Sequence, residues 1–327
     1  MNTQATTDKT ISDAPGDYLS HYLEPLRPML AESDTTDIYI NRPGEIWRER
    51  LGGDIACLPM PMLDRDYLQR LARQVAVYSH QGLSRAHPLL GASLPDGARI
   101  QIVMPPATQR HIAVAIRRHR AEALPLASYV LEPAARRDGV AAPTGDLAAY
   151  LAEAVRQRRN IIISGGTSSG KTTLLNSLLV EIPLTDRLIT IEDAAELRPS
   201  HTNRVQLIAA RGGQGEANVG PNDLLEAALR MRPDRILLGE LRGAEAYTFL
   251  RAVNTGHPGS ITTIHADNAE GALKQLVIMI LQGAHNLDYA NAYALVTSMI
   301  DIVVHIERID NRRCVSEVLC PGVRAKT

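Results

Sequence analysis

The chain of 327 residues has few cysteines, few lysines and few aromatic side chains, and it contains no long apolar run. Its three cysteines, Cys57, Cys314 and Cys320, include no CxxC pair, which excludes a disulfide framework and a cysteine-rich zinc site. Aromatic residues make up 4% of the chain, too few for a platform on which single-stranded nucleic acid stacks. No apolar run approaches the roughly 18 residues of a membrane span, and the N-terminus has no signal pattern, so we expect a cytoplasmic protein.

The charge of the chain is nearly balanced, with 35 Lys and Arg against 36 Asp and Glu and a net charge of -1. This balance argues against a dedicated nucleic-acid coat or a polybasic membrane binder, and it leaves direct nucleic-acid binding open. Hydrophobic residues form 45% of the chain, which is enough for a packed core and excludes wholesale disorder. The length predicts roughly two domains.

The first part of the chain predicts a small α+β domain over residues 17–120, preceded by a disordered tail over 1–16. Asp64 predicts the N-cap of an amphipathic helix whose apolar side includes Leu68 and Val75. Short segments with alternating apolar residues predict the strands. These strands are expected at 37–40, 45–50, 100–104 and 112–116.

Residues 121–143 are rich in Ala, Pro and Arg without a clear period, which predicts a linker. From 144 to 327, short apolar strands alternate with helices, and this order is typical of a parallel sheet covered on both faces. The strands are expected at 160–163, 188–191, 236–238 and 260–264. The helices are expected after Asp146 and at 171–180, 222–231 and 244–253.

The segment GGTSSGKT matches the phosphate-binding pattern GxxxxGK[ST], and it stands between a buried strand and an amphipathic helix, as that pattern requires. Backbone N–H groups of such a loop surround a phosphate, the lysine reaches the β- and γ-phosphates, and the hydroxyl holds Mg²⁺. The alternative is a chance Gly-rich turn, which the strand and helix context argues against. The nucleotide-binding candidates are Gly165, Gly166, Thr167, Ser168, Ser169, Gly170, Lys171, Thr172 and Thr173.

Lys171 is the only lysine between Lys9 and Lys274, although arginine is frequent in this part of the chain. A compact ammonium fits inside a phosphate-binding loop, whereas the wide guanidinium fork does not. A guanine-specific NKxD element also needs a lysine, and none is available. The sequence therefore favours ATP over GTP.

Carboxylates follow two of the predicted strands, as Glu192 and Asp193 after 188–191 and as Glu240 after 236–238. Strands beside a phosphate-binding loop end in carboxylates that hold Mg²⁺ or orient the attacking water. We expect Glu240 to polarise that water, Glu192 and Asp193 to position metal and nucleotide, and Thr172, Glu192 and Glu240 to form the metal site. The alternative is an acidic loop at a strand end, which is common in α/β proteins.

Two histidines, His257 and His265, flank the predicted strand 260–264. Their spacing matches no zinc motif, and no cysteine is close to either of them. They are either structural histidines or imidazoles that sense the γ-phosphate.

Residues 98–121 carry five arginines and no carboxylate. Such a segment is a solvated basic face, a nucleic-acid contact or a contact to nucleotide phosphates. The arginines are Arg99, Arg110, Arg117, Arg118 and Arg120. Of these, Arg99 and Arg117 lie on predicted strands, which would hold their side chains in fixed directions.

Taken together, these segments resemble the hexameric traffic ATPases of type IV secretion and conjugative transfer, within the secretion ATPase superfamily. The segments that carry the resemblance are TDIYINRPGEIWRE, GARIQIVMPP, AVAIRR, GGTSSGKTT, TIEDAAEL, RMRPDRILLGELRG, TGHPGSITTIHA and DIVVHI. The resemblance implies a RecA-like P-loop ATPase domain after a smaller α+β domain, ATP and Mg²⁺ as ligands, and a ring of six subunits. It also implies other secretion-channel ATPases and inner-membrane components as partners, and a peripheral position on the cytoplasmic face of the bacterial inner membrane.

The resemblance also implies roles for single residues. Glu240 matches the Walker B glutamate, Glu192 and Asp193 match the acidic box, and His265 matches the histidine near the γ-phosphate, with His257 in the same box.

Arg99 and Arg117 match arginines that approach the nucleotide phosphates from the N-terminal domain. Arginines supplied across a hinge would stabilise transition-state charge only in the closed state.

Other functions remain open from the sequence. The chain could be a nucleotide-switched assembly scaffold of the same machine, or a motor of type II secretion or type IV pili. Those motors usually carry a four-cysteine zinc insert, which is missing here. A monomeric small-molecule kinase is a third class, and the sequence does not distinguish a protein cargo from a DNA cargo.

Overall fold

The computed structural model of the protein describes residues 15–118, 124–131, 146–209, 219–284, 286–309 and 312–322. The chain divides at residues 119–120 into two compact units. The predicted tail over 1–16 lies outside the described residues except for its last two, which begin a helix. In the part of the chain that the structure describes, no helix is long and apolar enough to cross a bilayer.

The first unit is a six-stranded antiparallel sheet with helices packed on it. Its helices are α1 (Pro15–Leu23), α2 (Arg27–Ala31) and α3 (Arg65–Tyr78), with a 3-10 turn at Glu24–Leu26. Its strands are β1 (Thr35–Ile40), β2 (Gly44–Arg50), β3 (Ile55–Met60), β4 (Leu89–Ser93), β5 (Arg99–Val103) and β6 (Ala113–Arg117). The strand order is β3-β2-β1-β6-β5-β4, and every neighbouring pair is antiparallel.

Helix α3 begins as the sequence predicts, because Asp64 accepts a hydrogen bond from the backbone N–H of Tyr67 at 2.7 Å. Its predicted apolar side is buried in the core of the first unit, with Leu68 and Val75 at most 1% exposed. The spacing of apolar residues at three and four positions therefore fixes which face of the helix covers the sheet.

Strands β5 and β6 show the alternation that their sequences predict. Ile100 and Ile116 are buried in the core of the first unit. Successive side chains of a strand point to opposite faces, so Arg99 and Arg117 lie on the face away from that core.

The second unit is a seven-stranded sheet with helices on both faces. Its strands are β7 (Ile161–Ser164), β8 (Leu188–Glu192), β9 (Arg204–Ile208), β10 (Arg235–Leu241), β11 (Ile261–Ile264), β12 (Ile302–Ile309) and β13 (Arg312–Leu319). The strand order is β13-β12-β7-β11-β10-β8-β9, and the neighbours are parallel except for the β12–β13 hairpin. Its helices are α4 (Leu147–Arg156), α5 (Lys171–Leu179), α6 (Pro221–Leu229), α7 (Glu245–Asn254), α8 (Ala269–Gly283) and α9 (Tyr289–Met299).

The central strands of this sheet are apolar at every position because both of their faces are covered. In β7, Ile161 and Ile163 pack with α4 and α5, whereas Ile162 packs with α6 to α9 on the other face. The predicted fold class is thereby confirmed: a parallel α/β sheet follows a smaller α+β unit. The sequence does not predict β9, because this edge strand is half-exposed and alternates with polar residues.

Part of the predicted linker over 121–143 is packed rather than free. Residues 124–131 contain a 3-10 turn at Leu126–Ser128, and Leu126 and Tyr129 are buried in the core of the second unit. Leu131 forms a bridge with Val315 of β13. The segment is packed because its apolar side chains are buried in the core beside α4 and α5. The remainder of the predicted linker lies outside the described residues.

Candidate active site

The loop between β7 and α5 has a backbone that only glycine can follow at two points. Gly165 has a φ of +156° and Gly170 a φ of +104°. A Cβ on Gly165 would lie 2.6 Å from Ser169 Oγ and would collide with the backbone oxygen of Ile306. Gly165 is therefore required by the close approach of neighbouring atoms as well as by φ, and Gly170 is required by φ.

Lys171 is held under this loop. Its Nζ donates hydrogen bonds to the backbone oxygens of Gly165 and Gly166, both at 2.9 Å, and the residue is 8% exposed. The ring nitrogens of His265 lie 3.4 Å and 3.5 Å from the same Nζ. The ammonium is thus a buried point charge at the centre of the loop, where a phosphate would bind.

The parallel strands bring the predicted site residues to one edge of the sheet. The carboxyl ends of β7 and β11 lead to the phosphate-binding loop and to His265, and Glu240 is the penultimate residue of β10. Glu240 Oε1 lies 2.7 Å from His265 Nε2, and His265 in turn contacts Lys171. The Lys171 ammonium, the His265 imidazole and the Glu240 carboxylate therefore lie side by side, in that order, beside the loop.

Arg242 is a site residue that the sequence did not identify, although it belongs to the segment GELRG. Its Nε donates to Glu240 Oε2 at 2.6 Å, and its Nη2 contacts the same oxygen. Its Nη1 lies 3.3 Å from Asp193 Oδ2. The arginine thus orients the Glu240 carboxylate and joins the ends of β10 and β8.

Glu192 is buried at the end of β8 and stabilises the loop that follows it. Its Oε1 accepts hydrogen bonds from the backbone N–H groups of Glu196, at 2.9 Å, and Leu197, at 2.8 Å. This structural role explains why the carboxylate is 5% exposed. The predicted metal role of Glu192 remains a prediction.

The chemistry of the donor set suits Mg²⁺. Thr172, Glu192 and Glu240 offer a hydroxyl and two carboxylates, and Mg²⁺ prefers oxygen ligands. Among the described residues, no group of three or more His, Cys, Asp or Glu forms a metal cluster. Mg²⁺ at phosphate sites typically takes one or two carboxylates and completes its shell with phosphate oxygens and water, so a protein cage is not needed.

The two predicted histidines do not come together. His265 follows β11 at the loop edge, but His257 precedes β11, and its Nδ1 contacts the backbone oxygen of Pro233 at 3.0 Å. A strand of four residues separates the two edges by roughly 13 Å. The prediction that His257 binds the nucleotide is therefore not supported within the chain, because this histidine lies at the opposite edge of the sheet.

His265 is a neutral imidazole near pH 7. Burial lowers the pKa of His265, the charge of Lys171 lowers it further, and Glu240 only partly opposes this shift. A neutral ring accepts a hydrogen bond on one nitrogen and donates one from the other, so it can link the Lys171 ammonium to the Glu240 carboxylate.

Arg99 and Arg117 belong to the first unit, where they face each other in the β5–β6 register. Like charges directly across an antiparallel pair destabilise a sheet unless other charges offset them. Asp37 opposes Arg117 from the other side, in the β1–β6 register. That these two arginines approach the nucleotide remains a prediction.

A buried histidine also stands beside the start of the loop. His305 Nδ1 lies 2.9 Å from Ser164 Oγ, and His305 Nε2 lies 3.2 Å from Glu307 Oε1. Burial lowers the pKa of His305, and the charges of Glu307, Glu317 and Asp267 oppose the shift only in part. The folded protein therefore keeps His305 neutral at pH 7.

We expect the free energy of unfolding to fall as the pH drops below 6.5, because the unfolded chain then binds a proton that folded His305 does not. One whole proton corresponds to a slope of at most about 1.4 kcal/mol per pH unit. His265 contributes in the same direction. When the free energy of unfolding is measured with denaturant at several pH values, its slope against pH should be shallower for His305→Asn than for wild type. Equal slopes in the two proteins would contradict this account.

Comparison with known proteins covers nearly the whole chain. Residues 21–318 match the profile of a family described as "Type II/IV secretion system protein". The chain is 38% identical over 324 residues to the type IV secretion system protein VirB11 of Bartonella quintana (strain Toulouse). The aligned region covers 90% of this chain and 91% of that protein. It is 40% identical over 308 residues to the type IV secretion system protein PtlH of Bordetella pertussis (strain Tohama I), with coverages of 88% and 89%. Its fold is similar to the crystal structure of the VirB11 ATPase from the Brucella suis type IV secretion system in complex with sulphate, with a TM-score of 0.51, 35% identity and coverages of 94% and 96%.

Proposed function

Because the chain belongs to the type II/IV secretion system protein family, as its motifs predict, we propose that it is an ATP-hydrolysing motor of a type IV secretion or conjugative transfer system. One observation carries the proposal: Lys171, His265 and Glu240 stand in contact at the edge of the sheet where the phosphate-binding loop lies. A loop that only bound nucleotide would not need a carboxylate beside it.

In this mechanism the loop N–H groups and Lys171 hold the phosphates, and Glu240 polarises the attacking water. Neutral His265 lies between the two charged groups, where it would sense the γ-phosphate. Arg242 orients the Glu240 carboxylate, because two of its nitrogen atoms contact Glu240 Oε2. Mg²⁺, held by Thr172 with Glu192 or Glu240, would supply charge neutralisation at the phosphates.

The proposal extends to the assembly that the resemblance implies. The protein would form a ring of six subunits, and Arg99 and Arg117 would reach the nucleotide from the N-terminal domain. The two arginines would then stabilise the transition state only when the domains close, which couples movement to hydrolysis. Its partners would be other secretion-channel ATPases and inner-membrane components on the cytoplasmic face of the inner membrane.

The second candidate function is a nucleotide-switched assembly scaffold with negligible turnover. The ion pair of Glu240 with Arg242 fits it, because a paired carboxylate can be structural. The position of Glu240 beside His265 and Lys171 favours the motor.

Arg117→Ala is expected to lower turnover by about 100-fold or more while the fold is kept, because an arginine on transferring phosphate stabilises transition-state charge. Steady-state phosphate release by wild type, Arg117→Ala and Arg110→Ala tests this. Arg110 is an exposed residue of the same basic segment outside the strands, so Arg110→Ala should match wild type. Absence of phosphate release by the wild-type protein would refute the motor, whereas normal turnover of Arg117→Ala would refute only the cross-domain site.

A further inference from the structure

We infer that Arg313 is a nucleotide-binding residue, which contacts the phosphate chain on the side of Gly170 and Thr173. This inference rests on the proposed function, since it adds a residue to the same site. No sequence motif includes Arg313, because it lies in the β12–β13 hairpin, 142 residues after Lys171.

The hairpin extends beyond the sheet edge at the phosphate-binding loop. Ser164, the last residue of β7, is in register with His305 of β12. Three residues further along β12, Arg308 is in register with Arg313 of β13. Strands rise by about 3.3 Å per residue, so this part of the hairpin reaches roughly 10 Å past the end of β7. Arg313 is thus placed level with the loop rather than with the core of the sheet.

The stem of Arg313 lies against the last glycine of the loop. A Cβ on Gly170 would lie 2.7 Å from Arg313 Cδ and 2.9 Å from its Nε. Gly170 is the N-cap of α5, and Thr173 and Ser177 follow it on the same stripe of the helix at spacings of three and four. The arginine therefore runs along the first turn of the helix whose N–H groups face a bound phosphate.

The charge of Arg313 also acts on Tyr129, which packs beside α5. Burial raises the pKa of Tyr129, and the positive charge of Arg313 acts against the increase. Tyr129 is 3% exposed and packs beside α5. With its Cδ and Nε against Gly170, the side chain of Arg313 is close to the first turn of α5.

Arg313 differs from Arg242 in its charge environment. Arg242 is neutralised by Glu240 and Asp193, whereas no carboxylate among the described residues lies within 4.0 Å of the Arg313 guanidinium. A guanidinium offers a planar fork of N–H donors that matches two oxygens of a phosphate. A guanidinium beside the first turn of this helix, with no carboxylate partner among the described residues, has the chemistry of an anion contact.

The direction of approach identifies which phosphates it would contact. In the sheet order, β12 and β13 lie on one side of β7, and β11 and β10 lie on the other. His265 and Glu240 thus reach the loop from one side, and Arg313 reaches it from the opposite side. Hydrolysis takes place beside Glu240, so Arg313 contacts the phosphates that remain in the product.

Arg313→Met tests the inference, because methionine keeps an apolar stem against Gly170 and removes the charge. Isothermal titration with ADP and with a non-hydrolysable ATP analogue should give a Kd about 10- to 100-fold above wild type for both nucleotides, as for lost hydrogen bonds to a charged group. Arg313→Lys should recover part of the affinity. The matched control is Arg312→Ala, an exposed neighbour on the same strand, which should bind as wild type.

Four outcomes are distinguishable. Equal loss of affinity for both nucleotides, with an unchanged melting temperature of the free protein, supports the inference. Wild-type affinity of Arg313→Met for both nucleotides overturns it. Loss for the ATP analogue alone also overturns it, because Arg313 would then act on the γ-phosphate. Failure of the wild-type protein to bind either nucleotide overturns the proposed function itself.

Discussion

Lys171→Ala is expected to lower nucleotide affinity about 1000-fold and to leave no measurable turnover. The Lys171 ammonium is buried and is aimed at the loop by two backbone oxygens, so it is pre-organised for a phosphate. A charge pair at 4 Å in such surroundings contributes about 4 kcal/mol, and each 1.4 kcal/mol is about a tenfold change in affinity. Titration of wild type and variant with a fluorescent ATP analogue measures the effect.

Lys274→Ala is the matched control, since the chain offers few other lysines. Lys274 is exposed on α8 and lies 3.8 Å from Glu270, one helical turn away, so its loss should leave nucleotide affinity unchanged. Thermal melting of the free proteins distinguishes lost binding from lost folding. An affinity of Lys171→Ala within about threefold of wild type would contradict the role of this lysine.

Glu240→Gln is expected to lower turnover by about 100- to 1000-fold while nucleotide binding is kept. Glutamine has the same shape but cannot draw a proton from water, and such a group contributes about 10²- to 10⁴-fold to a reaction. It also loses the ion pair with Arg242, and it places an amide instead of a carboxylate against His265. Rapid quenching after one turnover should find bound ATP in the variant and bound ADP in wild type.

Glu245→Gln is a control in the same segment. Glu245 Oε1 accepts hydrogen bonds from the backbone N–H groups of Arg242, at 2.7 Å, and Gly243, at 2.9 Å, and a glutamine oxygen can replace it. Turnover of Glu245→Gln should therefore stay near the wild-type value. A comparable loss in both variants would assign the effect to the loop and not to the Glu240 carboxylate.

The sequence predicts those parts of the site that depend on neighbours along the chain. The glycines and Lys171 are recognisable because one loop between a strand and a helix imposes both φ and spacing. Glu240 and His265 are recognisable because each follows an apolar strand, and parallel strands end at one edge. These strands and the helices beside them are confirmed at the predicted positions.

The residues that the sequence did not identify depend on contacts between distant segments. Arg242 gains its role from Asp193, which belongs to another strand end, and Arg313 gains its position from the register of β12 with β7. His257 is close to His265 in sequence, but the predicted strand lies between them, and the structure places the two histidines at opposite edges of the sheet. Tyr129 falls in the predicted linker because the Ala, Pro and Arg around it have no clear period. Its burial beside α5 is therefore not predictable from the local sequence.

The most direct test is steady-state phosphate release by wild type and Glu240→Gln at saturating ATP and Mg²⁺, with ATP binding measured on the same samples. The motor predicts equal binding and a release rate at least about 100-fold lower in the variant. Equal binding with equal release rates would contradict the account, because the carboxylate beside His265 and Lys171 would then have no part in hydrolysis.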